Sequence, residues 1–472
     1  MLVVLGLFNQ LILMYVIFLL LGTIIQYRLW KKEKLTALFI FHATFLGYYF
    51  AVPLMVFVFH SSLDLRLIKF PNYILNSSFE AYYTAFAITI FAYLTILCCF
   101  FIRYEYININ KLGKKKFVNN NFFPKQIIYR FGLFFFIVGG GSLVIFFNIL
   151  GGFREAISLA DTLRNTEIDP SEFYGPFAAI FRTLSPLVMG SAYCFKVCAD
   201  NTNSKKLYVL FLVSFVLSMA FLVFNSGRGT IIFFLLPFII AYLIKKNKNI
   251  VLPMLIIFTL AVVTAEVFDV ILYQMSYGAV DLVQTNISIL SNIISALNDL
   301  SFPYANMLMV NNMNELHGFR YGADYFVWII NLLPSRALDV IGISIPQLES
   351  LNQNTSLYHY LLDPTASGGV PTDFITFGMR QLSLAGLAIN TVLYCFLAIY
   401  FDKLSHGIGM KDNVIIIRLQ LFFFTFIVNN DLTDIIRGSL FALIMLFMLI
   451  LVKRRKKRAI MHYEKLVTQN TT

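Results

Sequence analysis

Charged side chains are scarce in this chain. Asp, Glu, Lys and Arg make up 13% of its 472 residues, whereas a soluble globular protein carries roughly 25%. Hydrophobic residues account for 58%, and 50 phenylalanines and 25 tyrosines dominate the aromatic share. So few charges do not cover the surface of a water-soluble protein of this length, which argues against an ordinary soluble domain.

Cysteine is also rare, and several familiar motifs are missing. The five cysteines show neither the spacing of a disulfide framework nor that of a metal site. The sequence contains no P-loop, no dinucleotide-binding glycine motif and no HExxH motif. These absences argue against an ATP-driven pump and a zinc protease, and we expect neither a metal nor another cofactor.

Long apolar runs organise the sequence instead. A helix needs about 20 apolar residues to cross the hydrocarbon core of a bilayer, and about eleven runs approach or exceed that length. They lie at residues 2–26, 35–59, 79–102, 131–150, 174–196, 207–224, 230–244, 250–272, 383–401, 413–429 and 437–452. The first run has no basic segment before it and no cleavage site after it, so we expect a spanning helix there rather than a signal peptide. The pattern predicts an all-α, polytopic membrane helix bundle.

Lysines and arginines concentrate in every second connection between these runs. Most of the 37 follow the first, third, fifth, seventh, ninth and last runs, and the positive-inside rule places those connections in the cytoplasm. We therefore expect a periplasmic N-terminus and a cytoplasmic C-terminus. We therefore attribute the net charge of +12 to the cytoplasmic connections, which contact anionic lipid, and not to nucleic-acid binding.

The predicted spans divide the chain into four parts. Residues 1–272 hold eight spans with short loops, residues 273–382 form one large periplasmic loop, residues 383–452 hold three more spans and residues 453–472 form a basic cytoplasmic tail. The large loop is too polar to span the bilayer and too rich in aromatic and aliphatic residues to be disordered. We expect it to form several short amphipathic helices over the mouth of the bundle.

Arginines on the predicted outer side depart from the positive-inside bias. They are Arg154, Arg164, Arg182, Arg228, Arg320, Arg336, Arg380 and Arg437. Two explanations stay open, of which one is pairing with outer acids such as Glu155, Asp161 or Asp434. The other is an anion site, since a planar guanidinium binds phosphate oxygens in pairs and suits a pyrophosphate group.

Arg228 has the most specific setting of these arginines. It lies between Gly227 and Gly229, which permit a tight turn and a close approach of backbone to ligand. A helix is predicted to begin there, and its free N–H groups also favour an anion. Arg182, by contrast, lies about two turns inside a predicted helix, where it either extends outward or meets a buried acid.

Candidate bases lie in or near the large loop. His359 titrates near neutral pH and can take a proton from a hydroxyl group, although it also fits an ordinary loop histidine. Alternative bases are Asp299, Glu315, Asp363 and Asp373. Tyr358 and neighbouring aromatic residues either stack on sugar faces or pack at the membrane interface.

Three local features resemble the bacterial O-antigen polymerase (Wzy) family. The turn at residues 225–229 resembles a Ser-Arg-Gly junction, and ten residues separate Arg164 from Gly175, as in an Arg-x10-Gly pattern. The segment from His359 to Gly378 resembles the end of the family's large loop. The layout of about eleven spans with one late external loop is similar to the family along the whole chain.

The resemblance implies a membrane glycosyltransferase of the GT-C type, without a metal or nucleotide cofactor. Such an enzyme moves a growing glycan from undecaprenyl pyrophosphate onto the next lipid-linked oligosaccharide repeat unit. The reaction takes place at the periplasmic face of the bacterial inner membrane and yields O-antigen or a related surface polysaccharide. Control of chain length would need a regulator protein as a partner.

The resemblance also implies roles for single residues. Arg228 would stabilise the charge of the departing pyrophosphate, and His359 would take the proton of the acceptor hydroxyl, with Asp363 as the second choice. The expected ligands of the pyrophosphate and the sugars are Arg164, Arg182, Arg320, Arg336, Arg380 and Tyr358. The lipid tails would lie between helices, while the large loop would exclude water.

Other functions stay open from the sequence. An O-antigen ligase uses the same donor but transfers it to the lipid A core. A polysaccharide flippase or ion-coupled transporter is not an enzyme, and it predicts internal symmetry with polar groups near the middle of the membrane. The sequence shows no internal repeat, and its polar groups gather toward the outer side. A structural scaffold of the envelope is a further alternative.

Overall fold

The computed structural model of the protein describes most of the chain. The described residues are 2–33, 36–59, 69–105, 125–159, 175–224, 228–245, 289–331, 342, 348–362, 369–408, 417–419, 421 and 426–469. These ranges are almost entirely helical and contain no β-strand. The expected all-α architecture is therefore confirmed for the described part of the chain.

The structure describes the following helices between residues 2 and 184. They are α1 (Leu2–Glu33), α2 (Ala37–Leu46), α3 (Val52–Phe59), α4 (Lys69–Leu75), α5 (Phe79–Glu105), α6 (Lys125–Phe135), α7 (Gly141–Ile149), α8 (Phe153–Ser158) and α9 (Pro176–Leu184). A π-helical turn at Gly47–Ala51 joins α2 to α3, and another at Phe136–Gly140 joins α6 to α7. Each of these pairs therefore forms one continuous helix.

The remaining helices run from residue 187 to residue 469. They are α10 (Leu187–Thr202), α11 (Lys205–Phe224), α12 (Arg228–Lys245), α13 (Ile289–His317), α14 (Asp324–Asn331), α15 (Leu351–Leu362), α16 (Phe374–Ile408) and α17 (Leu432–Gln469). Three of them, α13, α14 and α15, belong to the segment that the sequence predicts as the large loop.

Seven helical stretches among the described residues are long and apolar enough to cross a membrane. They are Asn9–Lys31, Ala37–Phe59, Phe79–Ile102, Lys125–Ile149, Phe177–Thr202, Lys205–Phe224 and Phe374–Leu404. The chain is thus a multi-pass membrane protein. The predicted run at residues 250–272 lies outside the described part, so the count of about eleven spans stays a prediction, as does the orientation of the termini.

Helix α13 differs from the expected short amphipathic helices. It is 29 residues long, and its Tyr304 and Met307 are buried in the same core as Tyr15 of α1. The hydroxyl groups of Tyr15 and Tyr304 share a hydrogen bond, and Thr89 of α5 contacts the sulfur of Met307 at 3.4 Å. The apolar stretch in the middle of α13 therefore packs inside the bundle rather than over its mouth.

Helix α16 is broken near its start, at Leu382 and Ser383, where Ser383 has a φ of +54°. Glycines on either side of the break allow its two parts to touch. A Cβ on Gly386 would lie 2.3 Å from the carbonyl oxygen of Gly378, and one on Gly378 would lie 2.6 Å from the Cα of Leu387. Larger residues would push the parts apart, so glycine is needed at both positions. The break sets apart a short buried segment that carries Arg380.

Candidate functional site

A network of polar side chains connects α15 to the segment before α16. The backbone N–H of Thr372 donates to Asn352 Oδ1 at 2.6 Å, and that of Val370 donates to Ser356 Oγ at 2.8 Å. The hydroxyl groups of Thr355 and Thr372 are 2.7 Å apart. These bonds hold residues 369–373 against α15, with α13 on the other side, and all three elements contribute ionisable or amide side chains to one buried cluster.

His359 of α15 is 1% exposed and is held by Asn306 of α13. The Asn306 Nδ2 donates to the carbonyl oxygen of Pro371 at 2.9 Å. A carbonyl oxygen only accepts, which fixes the orientation of the amide, so Asn306 Oδ1 faces His359 Nε2 at 2.7 Å. The imidazole therefore carries its proton on Nε2. Its Nδ1 presents a lone pair that has no partner among the described residues.

The surroundings of His359 keep the imidazole neutral. Burial and the nearby charge of Lys69 lower the pKa of His359 to about 3. Phe70 and Tyr73 of α4 pack on the ring with centroid distances of 5.7 and 5.6 Å. At physiological pH His359 is thus a hydrogen-bond acceptor through Nδ1 and only a weak base.

Asp373 is fully buried immediately before α16. Its Oδ1 accepts hydrogen bonds from the Tyr49 hydroxyl at 2.5 Å and from the backbone N–H groups of Ile375 at 3.1 Å and Thr376 at 3.2 Å, so it caps the helix. Its Oδ2 forms no hydrogen bond of ordinary geometry in the described ranges, although the side chains of Asn306 and Thr376 lie near enough to the carboxyl group to lower its pKa. Burial raises the pKa of Asp373 to about 6 in spite of these donors, which suits proton transfer near neutral pH.

Tyr49 lies in the π-helical turn at Gly47–Ala51. Its hydroxyl group donates to Asp373 and accepts a hydrogen bond from the N–H of Ile375 at 3.3 Å. π-Helical turns are rare and occur frequently at functional sites. Here the turn contributes the one side chain that connects the α2–α3 helix to the Asp373 carboxyl group in the described structure.

Arg380 is completely buried and binds neutral oxygen atoms. Its Nη1 donates to Asn314 Oδ1 at 2.8 Å and to the carbonyl oxygen of Gly318 at 3.0 Å, and its Nη2 donates to Asn354 Oδ1 at 2.7 Å. Its Nε has no partner in the described structure. None of these partners is a carboxylate. A buried guanidinium whose direct partners are all neutral attracts an anion.

Arg320 lies beside Arg380, but a carboxylate compensates its charge. It forms a two-bond pair with Asp324, with Nε to Oδ2 at 3.1 Å and Nη2 to Oδ1 at 2.8 Å. The hydrogen bonds that Arg320 donates to Asp324 raise the pKa of Arg320. The backbone N–H of Arg320 also donates to the carbonyl oxygen of Arg380 at 2.9 Å. Arg320 therefore holds the chain around Arg380 in place. Of the two arginines, Arg380 has the less compensated charge.

Tyr358 belongs to an apolar cluster beside this network. It is 6% exposed and packs with Met309 and Met313 of α13. Burial raises its pKa, so the phenol stays protonated at physiological pH. In the structure Tyr358 supports the position of its neighbour His359, and sugar stacking on its ring stays a prediction.

The other expected site residues are not part of the described cluster. Arg182 is half-buried on α9, which packs against α7 and α17, a different group of helices from α13 and α15. Arg228 is the first residue of α12, and its side chain lies outside the described part. The residues Arg164, Arg336 and Asp363 also lie outside it, so their roles stay predictions.

Asparagines are the site residues that the sequence did not predict. Asn306, Asn314 and Asn354 hold His359 and Arg380 in place. Asparagine is a poor helix former, and its repeated occurrence in α13 and α15 was the available signal. Further buried or half-buried members of the network are Asn352, Asn390, Asn429 and Asn430.

The structure defines a class of protein, namely a multi-pass α-helical membrane protein with a buried cluster of ionisable side chains. No group of three or more His, Cys, Asp or Glu residues in the described part is arranged to hold a metal ion. No protein-family model matches the chain, and neither a curated protein nor a solved structure is significantly similar to it.

Proposed function

We propose that the protein is a membrane glycosyltransferase that joins lipid-linked oligosaccharide repeat units into O-antigen or a related surface polysaccharide. The donor would be carried on undecaprenyl pyrophosphate at the periplasmic face of the bacterial inner membrane. The observation that carries this proposal is the environment of Arg380, a fully buried guanidinium bound by neutral oxygen atoms and with an unpartnered Nε.

A pyrophosphate group would supply the negative charge that is missing among the direct partners of Arg380. Asp324 and Glu349 lie near enough to act on its charge, but burying a cation without a directly bonded anion costs several kcal/mol, and a bound phosphate would recover part of that cost. Phosphate oxygens accept two parallel N–H bonds from one guanidinium, and the Nε–H of Arg380 is available for one of them. In the transition state the leaving group gains negative charge, and Arg380 would stabilise it.

The proposed reaction is a single displacement at the anomeric carbon of the donor sugar. The oxygen of the acceptor hydroxyl forms a bond to that carbon, and the carbon–oxygen bond to the pyrophosphate breaks. The electron pair of the broken bond stays with the pyrophosphate, which leaves attached to its lipid. The hydroxyl proton passes to Asp373 Oδ2 and is later released to water.

This scheme makes Asp373 the base and His359 a positioning residue. The pKa of Asp373 is about 6 and that of His359 is about 3, so the carboxylate accepts a proton more readily at neutral pH. The lone pair on His359 Nδ1 would accept a hydrogen bond from the acceptor sugar and orient it. In this proposal Asp373 takes the role of base that the sequence suggested first for His359, and Asp363, outside the described residues, stays the predicted alternative.

The site is closed in the structure, because Arg380, His359 and Asp373 are all at most 1% exposed. Substrate entry would require α15 to move away from residues 369–373. The bonds between them are polar, and sugar hydroxyl groups could replace them at small net cost. Closure after binding would exclude water and so limit hydrolysis of the donor.

A reconstitution experiment tests the proposal. The purified full chain is mixed with an undecaprenyl-pyrophosphate-linked repeat unit, and the products are separated on a gel. A ladder of lengthened glycans is expected with the native chain and is lost with Asp373→Asn. Transfer that occurs only after lipid A core is added would indicate a ligase. Movement of the substrate across liposomes without lengthening would indicate a transporter, and either result would overturn the proposal.

A further inference from the structure

A second group of arginines surrounds a cleft between α6 and α17. The cleft has a volume of about 330 Å³, and its basic lining consists of Arg130 from α6 and Arg454, Arg455 and Arg458 from α17. All four side chains are exposed. Residues 454, 455 and 458 recur at helical spacing and share one face of α17. The cleft therefore presents four positive charges to a single volume.

These four charges are uncompensated in the described structure. No acidic residue lines the cleft, and none of the four arginines forms an ion pair with another described residue. Like charges one helical turn apart, such as Arg454 and Arg458, repel each other. An anion bound between the two helices would relieve this repulsion, so the cleft is suited to a phosphate-bearing ligand.

The remainder of the lining is apolar. It consists of Ile127 and Phe131 on α6 and Leu451 on α17. The α6 residues lie within the first two turns of the stretch Lys125–Ile149, which is apolar and long enough to span a membrane. Apolar side chains next to arginines at the end of a span match the boundary between acyl chains and headgroups. A lipid fits this combination better than a soluble phosphate does.

The cleft and the buried network around Arg380 contact α17 at well-separated positions. At one end of α17, Asp434 accepts a hydrogen bond from Asn352 of the buried network. Arg454 follows about 20 residues later on α17, beyond a break at Ser439, and the helical rise over the two parts together amounts to roughly 30 Å at most. The hydrocarbon core of a bilayer is about 30 Å thick. The polar cluster and the arginine cleft thus lie far apart along α17, as two sites near opposite membrane faces would.

We propose that this cleft binds the headgroup of an anionic phospholipid from the leaflet at the basic end of the bundle. Basic pockets between spanning helices on the cytoplasmic side are suited to such headgroups. The phosphate would lie among the four arginines, and the acyl chains would pass over Phe131 and Leu451 into the bilayer. This binding does not depend on the proposed glycosyl transfer.

Lipid titration of the detergent-solubilised full chain tests this proposal. Binding of cardiolipin, phosphatidylglycerol and zwitterionic phosphatidylcholine is measured by native mass spectrometry. The native chain is expected to retain the two anionic lipids and to release phosphatidylcholine. Arg454→Gln with Arg458→Gln should weaken cardiolipin binding by about tenfold or more, because both of these charges line the cleft.

The matched control removes two charges from the same turns of α17. Lys453 and Lys457 are exposed and do not line the cleft, so Lys453→Gln with Lys457→Gln should leave cardiolipin binding nearly unchanged. An equal loss in both double variants would show a diffuse charge effect and overturn the proposal. Displacement of the lipid by inorganic phosphate at comparable concentration would identify a soluble anion as the ligand and would overturn it as well.

Discussion

The Nε2 of His359 and the Oδ1 of Asn306 are 2.7 Å apart, and this contact determines which nitrogen of the imidazole is free. Asn306 also donates to the carbonyl oxygen of Pro371. The side-chain carboxamide of Asn306 therefore connects α13 with both α15 and the segment before α16. The free Nδ1 of His359 is a consequence of this arrangement and not of the histidine alone.

The first prediction concerns Asn306. Asn306→Leu keeps the approximate volume of the side chain but removes both hydrogen bonds, leaving a buried imidazole N–H and a carbonyl oxygen without partners. We expect a loss of about 1–3 kcal/mol in the free energy of unfolding, seen as a lower midpoint of thermal unfolding in detergent. The control Asn311→Leu changes an exposed asparagine of the same helix. An equal loss in the two variants would contradict the role of Asn306.

The helical architecture could be predicted from the sequence, because it depends on the length and hydrophobicity of the apolar runs. A membrane admits spanning helices whose backbone groups bond internally, so runs such as those of α5 and α11 are recognisable without any knowledge of their neighbours. Helix α13 was not predicted correctly. Its interior contains Pro303, Asn306 and Asn311 among apolar residues, which lowers its hydropathy, and its burial depends on contacts with α1 and α5 from distant parts of the sequence.

Only part of the candidate site could be predicted from the sequence. His359 and Arg380 are conspicuous because ionisable side chains near a membrane are costly. Their partners Asn314 and Asn354 are separated from Arg380 in the sequence by 66 and 26 positions, and a single sequence contains no signal for such a contact. The difference between Arg380 and Arg320 likewise depends on Asp324, which is hydrogen-bonded to Arg320 and lies near Arg380 without a direct bond to it.

The second prediction is a pH dependence of glycan elongation. Burial raises the pKa of Asp373 to about 6, and as the proposed base Asp373 would work in its ionised form. The elongation rate should therefore fall as the pH drops through about 6 and level off above about 7. His359, with a pKa of about 3, adds no step in that range. Elongation rates measured between pH 5 and 8 with a fixed concentration of lipid-linked donor provide the test, and a rate that rises toward pH 5 would contradict Asp373 as the base.

The third prediction concerns Tyr49. Its hydroxyl group donates to Asp373 Oδ1 at 2.5 Å, and a donor of this kind favours the ionised carboxylate. Tyr49→Phe should raise the pKa of Asp373 further, so the acid limb of the rate profile should shift upward by about one pH unit. Tyr193→Phe serves as the control, because it removes a similarly buried hydroxyl that donates to the carbonyl oxygen of Phe234 at 2.6 Å. A profile that moves in neither variant would show that Tyr49 has only a structural role.

We propose that the buried guanidinium of Arg380 binds and stabilises the departing pyrophosphate, while the neighbouring Arg320 does not. The most direct test compares elongation rates of purified, folded variants with the same lipid-linked substrate. Arg380→Gln is expected to lower the rate by about 100-fold or more, and Arg380→Lys, which keeps the charge but loses the planar fork, is expected to recover part of it. Arg320→Lys should change the rate by less than about tenfold, because Asp324 already compensates that charge. Elongation by Arg380→Gln at the native rate, or an equal loss in Arg320→Lys, would contradict the account.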